Sequence, residues 1–482
     1  MKFKPMKHQL QSLAHNDKSN IVLDTSDPGT GKTFVRLLAF SKRRAKRGGA
    51  ALVLAPRSLL RNVWAADCRK FTPHLTTSVA NAINRSDAFA ADADIYVTNI
   101  DAARWLGQQK AVFFKRFSEL IVDESEAFKH HTSQRSKALL KIAKHFKYKA
   151  LMSGTPTTNS ITDIWHQAMI LDSGERLGNS FFRFRDTVCT PTQVGRSSQM
   201  VKWTDKEGAE EAVYGLLADI VIRHKFEDCV DIPATHKYTL DYDMPNKQLA
   251  AYLELEATAM LTLKDKHLSA INAAAVATKL LQVASGAVYS SPEQYHVVDT
   301  GRYEMILDLI EARKQCLCFF FWKHQRDLLV AEAEKRGIPY CVFDGDSKDT
   351  AREDMVKSFQ AGLYRVMFAH PASAGHGLTL TAGDTTIWPG PTYNLSHYVQ
   401  GGKRIPRLGQ TKKTEEIMLI ARGTMEEKVY SMLLDKDAHM KTLLELFGTL
   451  NKDEPKPTAK DTQIADAMKG LKKVYRKTGA SV

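Results

Sequence analysis

The stretch that decides the fold is Asp24-Thr25-Ser26-Asp27-Pro28-Gly29-Thr30-Gly31-Lys32-Thr33-Phe34. It follows the apolar run Ile21-Val22-Leu23 and opens a segment with helical periodicity, which predicts a strand, a glycine-rich turn and a helix. Gly29 and Gly31 let backbone N–H groups close on phosphate oxygens. Lys32 is predicted to bind the phosphates and Thr33 to hold Mg²⁺, while the new helix presents its positive end. The stretch therefore predicts a phosphate-binding loop.

The composition is that of an ordinary globular protein. With 482 residues, 43% of them hydrophobic and 25% charged, the chain is long enough for two or three domains. No apolar run reaches membrane-spanning length and the first residues lack the apolar core of a secretion signal, so we expect neither a membrane partner nor export. The six cysteines are scattered without zinc-type pairs, which favours free thiols in a reducing compartment. Cys316 and Cys318 are read as core residues rather than as metal ligands.

The net charge of +14 favours a polyanionic partner, with nucleic acid first. The densest basic cluster, residues 42–47, ends the helix that starts at the phosphate-binding loop, and Gly48 and Gly49 follow it. Cations in a last helical turn followed by glycine are common C-terminal capping, which is the favoured interpretation. A DNA contact by the same cluster stays open.

Apolar runs separated by helical stretches predict the strands. They lie at residues 50–56, 94–99, 119–126 and 149–156, with a second series at 316–322, 340–345, 365–369, 386–388 and 416–421. Alternating β and α elements with apolar strands imply parallel sheets that are covered on both faces. Ligands gather where such strands end. In the first series, these ends carry Lys32, Pro56-Arg57, Thr98-Asn99, Asp123-Glu124 and Ser153-Gly154-Thr155-Pro156.

The adjacent acids Asp123 and Glu124 need a charge argument. Two neighbouring carboxylates after an apolar strand repel each other unless a cation or a bound water uses them. In a nucleotide site, Asp123 would hold Mg²⁺ and Glu124 would polarise the attacking water. The alternative is a helix N-terminus that favours acids. With Lys32 upstream in the same sheet, the catalytic interpretation is favoured.

The rest of the chain adds two appendages, a connection and a second α/β unit. Residues from about 174 to 223 are less regular and contain several aromatics, and 246–282 are helical. The second unit has no Lys-Thr phosphate loop, but Arg404 and Arg407 lie three apart, which on a helix puts both guanidinium groups on one face. A solvated basic helix surface is the alternative. After Leu450 the composition predicts a mobile tail with a weak helix around residues 464–475.

In this order the motifs resemble the superfamily 2 helicase-like ATPases, and within them the Swi/Snf-type double-stranded-DNA translocases. The resemblance runs from about residue 5 to residue 445. The matching motifs are Gln9; Ser26–Thr33; Ala55-Pro56-Arg57-Ser58; Val97-Thr98-Asn99; Asp123-Glu124; Ser153–Pro156; Arg223-His224-Lys225 with Asp231-Ile232-Pro233; Asp344-Gly345 with Arg352 and Phe359; Gly375-His376-Gly377-Leu378; and Gln400, Arg404, Arg407 and Gly409-Gln410.

The resemblance implies an α/β fold of two RecA-like parallel-sheet lobes of the P-loop NTPase type, with small helical insertions. Lobe 1 is expected at 1–172 and its appendage at 173–222. An inter-lobe linker is expected at 223–245, a helical appendage of lobe 2 at 246–300, lobe 2 at 301–450 and a basic flexible tail at 451–482.

The resemblance also implies a role for each motif, with ATP and Mg²⁺ as cofactors. The residues expected around ATP are Gln9, Ser26, Asp27, Pro28, Gly29, Thr30, Gly31, Lys32, Thr33 and Gly377. The expected catalytic groups are Lys32, Glu124, Arg404 and Arg407, with the two arginines approaching the γ-phosphate from the second lobe. The expected Mg²⁺ ligands are Thr33 and Asp123. The expected nucleic-acid contacts are Pro56, Arg57, Thr98, Asn99, Ser373 and Gly375.

Three departures from the family pattern stand out. Glu126 occupies the fourth Walker B position, which is usually His, and Ser26 replaces the first Gly or Ala of the phosphate-binding loop. The sequence also lacks the chromo, bromo or SANT-type modules of chromatin remodellers. In this it looks more like a compact bacterial or bacteriophage member, acting in the nucleoid or in the cytoplasm of a host cell.

The leading hypothesis is a monomeric, DNA-dependent ATPase that moves along duplex DNA by gripping its phosphate backbone. A true unwinding helicase for branched DNA or RNA is the second hypothesis. A catalytically idle DNA-binding scaffold is the third, and the presence of Lys32, Glu124, Arg404 and Arg407 argues against it.

Overall fold

Two separate parallel sheets form the framework of the chain in the computed structural model, which describes residues 3–193, 200–265, 270–345, 347, 349–374 and 378–448. The described residues divide into two compact units: residues 3–231 together with 436–448, and residues 232–435. We describe each unit by itself. The predicted tail at 451–482, with its weak helix, lies outside the described residues.

The first unit contains strands β1 to β9. Their bounds are Ile21–Asp24, Ala50–Ala55, Thr77–Ala80, Ile95–Asn99, Phe117–Asp123, Tyr148–Met152, Cys189–Gln193, Val201–Asp205 and Val221–Ile222. Helices α1 to α11 span Lys7–Lys18, Lys32–Arg47, Ala66–Phe71, Arg85–Ala90, Ala103–Leu106, Ala111–Phe114, Gln134–Ala143, Asp163–Asp172, Phe181–Val188, Ala209–Leu217 and Phe226–Cys229. A π-helical turn covers Leu60–Ala65, and 3₁₀ turns cover Ile100–Ala102 and Ser125–Phe128.

The second unit contains strands β10 to β17, with bounds Thr235–Tyr242, Ala287–Ser291, Gln294–Val297, Cys316–Phe319, Tyr340–Phe343, Val366–Ala369, Thr385–Trp388 and Thr414–Ala421. Helices α12 to α19 span Asn246–Asp265, Ala270–Ala284, Gly301–Glu311, Lys323–Lys335, Asp349–Gln360, Pro371–Ala374, Leu395–Gly402 and Met425–Gly448. The boundary between the units falls within α19, after residue 435.

The main sheet of the first unit has the strand order β3-β4-β2-β5-β6-β1-β9, and every neighbouring pair is parallel. The predicted strands all occur in it. Because they run in one direction, the segments after β1, β2, β4, β5 and β6 emerge at the same edge of the sheet. This edge carries the phosphate-binding loop and the other predicted motifs of the first unit.

The interior of the first unit explains its strand sequences. All six residues of β2 are buried, as expected when helices cover both faces of a parallel sheet. One core cluster combines Leu37 and Phe40 of α2 with Trp64 and Cys68 from the segment after β2.

The basic end of α2 is held within the first unit. Gly48, at φ 68°, caps the helix, and its N–H donates to the carbonyl of Arg44 at 2.8 Å. Arg43 makes a bidentate pair with Glu119, with Nη2 to Oε1 at 2.6 Å, and Arg44 pairs with Asp94. The capping interpretation of this cluster is therefore confirmed at its glycine, and two of its arginines have carboxylate partners.

The main sheet of the second unit has the order β10-β17-β16-β13-β15-β14, again with all pairs parallel. Strand β10 pairs with β17 over eight positions, so part of the segment predicted as an extended connection is a sheet strand. Two small antiparallel sheets, β7-β8 in the first unit and β11-β12 in the second, were not predicted. Cys316 and Cys318 are fully buried on β13, as predicted, and burial raises the pKa of both thiols.

A buried ion pair stabilises the second unit. Arg302 and Glu426 are 1% and 2% exposed, and their two Nη–Oε distances are both 2.9 Å. We expect Glu426→Ala to lower the free energy of unfolding by about 3–5 kcal/mol, because it leaves a buried guanidinium without its charge partner. Urea unfolding measures the change. Glu293→Ala, which breaks the exposed Lys323–Glu293 pair, is the control and should leave the free energy of unfolding nearly unchanged; equal losses in the two variants would contradict the prediction.

Candidate nucleotide site

The two glycines of the phosphate-binding loop are required by backbone angles and by space. Gly29 and Gly31 have φ of 92° and 81°, a region that glycine adopts without strain. A Cβ on Gly29 would lie 2.9 Å from the Phe226 ring, and one on Gly31 would lie 2.5 Å from Nε2 of Gln9. The loop can therefore keep its shape only with glycine at both positions.

Lys32 begins helix α2 and folds its side chain back over the loop. Its Nζ donates to the carbonyl of Ser26 at 2.5 Å and approaches the carbonyl of Asp27 at 3.4 Å. Thr33 follows as the second residue of this 16-residue helix, whose free N–H groups and dipole favour an anion at this end. The ammonium, the N–H groups and the hydroxyl thus meet where the phosphates are predicted.

Gln9 lies against the loop, near the start of α1. Its Oε1 accepts the backbone N–H of Met6 at 2.9 Å, and its Nε2 donates to the carbonyl of Thr30 at 3.2 Å. Nε2 of His8 is 2.9 Å from the same carbonyl. The structure thus fixes Gln9 at the edge of the loop, and its contact with adenine stays a prediction.

Residues 223–226, about two hundred positions further along the chain, contact the loop and stabilise it. Nη1 of Arg223 lies 2.7 Å from Oδ1 of Asp27, and the backbone N–H of Phe226 donates to Oδ2 of the same carboxylate at 2.9 Å. The backbone N–H of His224 donates to Oγ of Ser26 at 3.1 Å. Gly or Ala at position 26 could not accept this hydrogen bond, which gives the Ser26 departure a physical reason.

His224 is neutral in this segment. Burial lowers the pKa of its imidazole to about 4, and its Nε2 lies 2.9 Å from Oγ of Ser12 on α1. Residues 223–225 are predicted from the sequence to lie in a connection, and their contact with the loop is not predicted. An arginine and a histidine directly after the short strand β9 were the available signal.

The acids after β5 differ in their environment. Asp123 is buried; its Oδ1 accepts the backbone N–H of Glu124 at 3.2 Å, and its Oδ2 accepts Nε1–H of Trp64 at 2.9 Å. Glu124 has φ 54° and ψ 57°, a left-handed conformation that costs an L-residue roughly 1–2 kcal/mol. Strain of this kind is concentrated at functional sites.

The segment after Glu124 is tied to the segment after β6. Oγ1 of Thr155 donates to Glu126, the residue that departs from the family pattern. Oγ of Ser125 donates to Gln167 at 2.7 Å, and Nε2 of Gln167 donates to the carbonyl of Pro156 at 2.8 Å. Glu126 therefore joins the Walker B segment to the predicted coupling motif.

The predicted nucleic-acid contacts of the first unit differ in accessibility. Arg57 is exposed and Pro56 is half-buried, in the turn after β2. Thr98 is fully buried and its hydroxyl donates to the carbonyl of Ala80 at 3.0 Å, whereas Asn99 is half-buried. Arg57 and Asn99 are thus more open to a partner than Thr98.

In the second unit, Arg404 and Arg407 do not share a helix, contrary to the prediction. Helix α18 ends at Gly402, and the fixed ring of Pro406 is incompatible with continuing it. Arg404 is buried and its Nε donates to the carbonyl of Gln400 at 2.7 Å. Arg407 is half-buried; its Nε donates to the carbonyl of Lys403 at 2.9 Å. Arg407 is therefore the more accessible of the two arginines.

Two glycines for which no role is predicted from the sequence bring α18 close to the sheet. A Cβ on Gly401 would lie 2.7 Å from Trp388, and one on Gly402 would lie 2.8 Å from Oε1 of Glu416. Ser373 is half-buried on α17. Gly375 and Gly377 lie outside the described residues.

Oxygen ligands for Mg²⁺ are present at the sheet edge of the first unit. Thr33 and Asp123 offer a hydroxyl and a carboxylate, the ligand types that Mg²⁺ prefers. Thr33 lies in the helix that follows β1, and Asp123 is the last residue of β5. These two strands flank β6, so the strands lie about 10 Å apart. The described residues contain no cluster of three metal-binding side chains, and a Mg²⁺ held mainly by phosphates and water requires none.

The chain matches two family models. Residues 8–286, more than half of the chain, match the SNF2-related domain, and residues 301–409 match the helicase conserved C-terminal domain. No helix in the described ranges is both long and apolar enough to cross a membrane.

The chain is also similar to individual proteins. Putative protein p41 of Acyrthosiphon pisum secondary endosymbiont phage 1 is 26% identical over 86% of this chain and 93% of its own length. An uncharacterized ATP-dependent helicase of Mycoplasma pneumoniae is 25% identical over 92% of this chain, which spans only 42% of that protein. The solved Sulfolobus solfataricus SWI2/SNF2 ATPase core in complex with dsDNA is 20% identical, with a TM-score of 0.43 over 93% of this chain and 95% of that one.

A phosphate-binding loop after β1, adjacent acids at the end of β5 and a match over more than half of the chain converge on one assignment: the protein belongs to the SNF2-related family of helicase-type ATPases.

Proposed function

We propose that the chain hydrolyses ATP at the phosphate-binding loop and uses the cycle to move along double-stranded DNA. The observation that carries the proposal is the sheet edge of the first unit. There the loop of residues 26–33 and the acids Asp123 and Glu124 follow parallel strands of one sheet. Membership in the SNF2-related family supports the DNA substrate.

Each group at this edge has a chemical task. The N–H groups at the start of α2 and the ammonium of Lys32 bind the phosphates of ATP and stabilise the charge that develops during transfer. Glu124 orients the attacking water and accepts its proton, as that water adds to the γ-phosphorus and ADP leaves. Thr33 and Asp123 would hold Mg²⁺, which neutralises phosphate charge when bound.

Two arginines of the second unit are proposed to take part in hydrolysis. Arg407 contacts the γ-phosphate during hydrolysis, and Arg404 holds the turn that carries it. The support is the contrast in exposure: Arg404 is 2% exposed, whereas Arg407 is half-buried and retains access to solvent. An arginine supplied by a second unit makes hydrolysis depend on closure, which is how a chemical step is coupled to movement.

Binding to DNA is proposed to use the phosphate backbone and to ignore sequence. Arg57 and Asn99 of the first unit are the accessible candidates, together with Pro56 and Ser373. Thr98 would contribute through its backbone, since its hydroxyl is used within the sheet. The net charge of +14 supports a polyanionic partner.

This mode of binding predicts a strong salt dependence. We expect the affinity for a duplex of random sequence to fall by at least about tenfold between 50 and 200 mM NaCl, because each neutralised phosphate releases counterions. Fluorescence anisotropy measures the affinity, and two duplexes of unrelated sequence should give the same slope. A salt-independent affinity, or one that depends on sequence, would argue against backbone binding.

An ATPase assay with and without duplex DNA tests the function, and triplex displacement tests movement. DNA-stimulated hydrolysis with displacement of the third strand supports a translocase. Robust unwinding of forked duplexes would favour a true helicase, and no hydrolysis under any condition would favour a scaffold.

We also propose a monomer that acts in the cytoplasm, where DNA is accessible in bacteria or in an infected bacterial host. All six cysteines are free, which supports a reducing compartment. Size-exclusion chromatography with light scattering tests the monomer.

A further inference from the structure

The side chain of Trp64 is buried and makes a polar contact that has no role in the hydrolysis steps proposed above. Its indole is 0% exposed, and Nε1–H donates to Oδ2 of Asp123 at 2.9 Å. Tryptophan N–H groups are donors only, so the acceptor must be the carboxylate. A hydrogen bond to an ionised acceptor is stronger than one between neutral groups.

The local backbone puts Trp64 in this place. Strand β2 lies directly beside β5, with Leu54 opposite Val122. After the turn at Pro56-Arg57, residues Leu60–Ala65 form a π-helical turn rather than an α-helix. π-turns are rare and occur frequently at functional sites. This one carries the indole of Trp64 to the end of β5.

The two oxygens of Asp123 are held from different sides. Oδ1 accepts from the adjacent backbone N–H of Glu124 at 3.2 Å, and Oδ2 accepts from Trp64. A carboxylate with a donor on each oxygen has a defined plane. Outer donors of this kind orient metal ligands, and losing one typically lowers metal affinity by 10–100-fold.

We propose that Trp64 is a positioning residue that orients Asp123 for Mg²⁺. The proposal rests on the proposed function, in which Asp123 is a ligand of that ion. The segment after β2 would then have two roles: Trp64 orients Asp123, and Arg57, near the start of the segment, is a candidate nucleic-acid contact. Trp64 then connects the two sites within the first unit.

A purely structural role for Trp64 makes a different prediction. If the indole only fills the core, removing its N–H would lower the stability of the fold and leave the response to Mg²⁺ unchanged. The test must therefore measure how Mg²⁺ affects nucleotide binding, and not the ATPase rate alone.

The experiment uses the full chain with Glu124→Gln, so that bound nucleotide is not hydrolysed. Binding of a fluorescent ATP analogue is titrated at increasing Mg²⁺, and once with EDTA. We expect Trp64→Phe to require 10–100-fold more Mg²⁺ for half-maximal tightening, with metal-free binding unchanged. Trp165→Phe is the control, because Trp165 is also buried and its Nε1–H donates to the carbonyl of Gly178 at 3.1 Å; its Mg²⁺ response should match that of the parent.

A second replacement covers the case in which Trp64→Phe does not fold. Replacing Trp64 with 3-benzothienylalanine keeps the bicyclic shape and substitutes sulfur for the N–H group. The same loss of Mg²⁺ response in this variant supports the proposal. A response equal to that of the parent in whichever variant folds would overturn it. If the parent itself binds no nucleotide, or binds it without any effect of Mg²⁺, the proposed function fails instead.

Discussion

Lys32→Ala is expected to lower the kcat of ATP hydrolysis by about 10²–10³-fold. Lys32 supplies a full positive charge at the start of α2, where its Nζ already lies 2.5 Å from the carbonyl of Ser26. In the transition state, charge develops on the transferred phosphoryl group and its leaving oxygen, and alanine offers nothing to stabilise it. Nucleotide binding should weaken as well.

The measurement is phosphate release at saturating ATP and DNA. Lys42→Ala is the matched control: it removes a lysine from the same helix, but this lysine is 53% exposed and pairs with Asp17 on the surface. Lys42→Ala should unfold at about the same urea concentration as the parent, because surface substitutions change stability little. Urea unfolding of Lys32→Ala shows whether that variant is folded under the assay conditions. Parental activity in Lys32→Ala would remove the loop from the mechanism.

The strands that could be predicted from sequence are those whose residues are buried on both sides. Ala50–Ala55 is entirely apolar, and burial along its whole length matches that composition. Strand Thr235–Tyr242 was not predicted as such, because most of its side chains are exposed and its sequence is largely polar. Only pairing with β17, which lies far along the chain, makes it a strand.

Within the candidate site, too, the local features could be predicted from sequence and the contacts between distant residues could not. The loop of residues 26–33 could be predicted because its function depends on adjacent residues with fixed spacing. The ion pair between Arg223 and Asp27 and the hydrogen bond from Trp64 to Asp123 connect residues that are far apart in sequence. The spacing of these residues therefore does not predict either contact. Helical spacing for Arg404 and Arg407 failed for a local reason, because α18 ends at Gly402.

Arg407→Ala is expected to separate binding from hydrolysis. If Arg407 contacts the γ-phosphate only as it is transferred, its loss should lower kcat by about 10³–10⁵-fold. The affinity for ATP in the absence of turnover should stay close to that of the parent. Lys32→Ala, in contrast, should weaken both. The two variants together therefore test whether Lys32 acts in both nucleotide binding and hydrolysis while Arg407 acts in hydrolysis alone.

Arg407 is a sharper test than Arg404. Arg404 is buried against the carbonyl of Gln400, so its removal would disturb the turn as well as any catalytic contact. Arg407 is more accessible, and it contacts the carbonyl of Lys403 and Oγ1 of Thr379 at 3.3 Å. Arg422→Ala is the control, since Arg422 lies in the same unit, is 61% exposed and pairs with Asp241. Single-turnover hydrolysis and analogue binding measure the two quantities. Full hydrolysis in Arg407→Ala would show that the second unit supplies no catalytic arginine at this position, and the coupling of closure to chemistry would need another group.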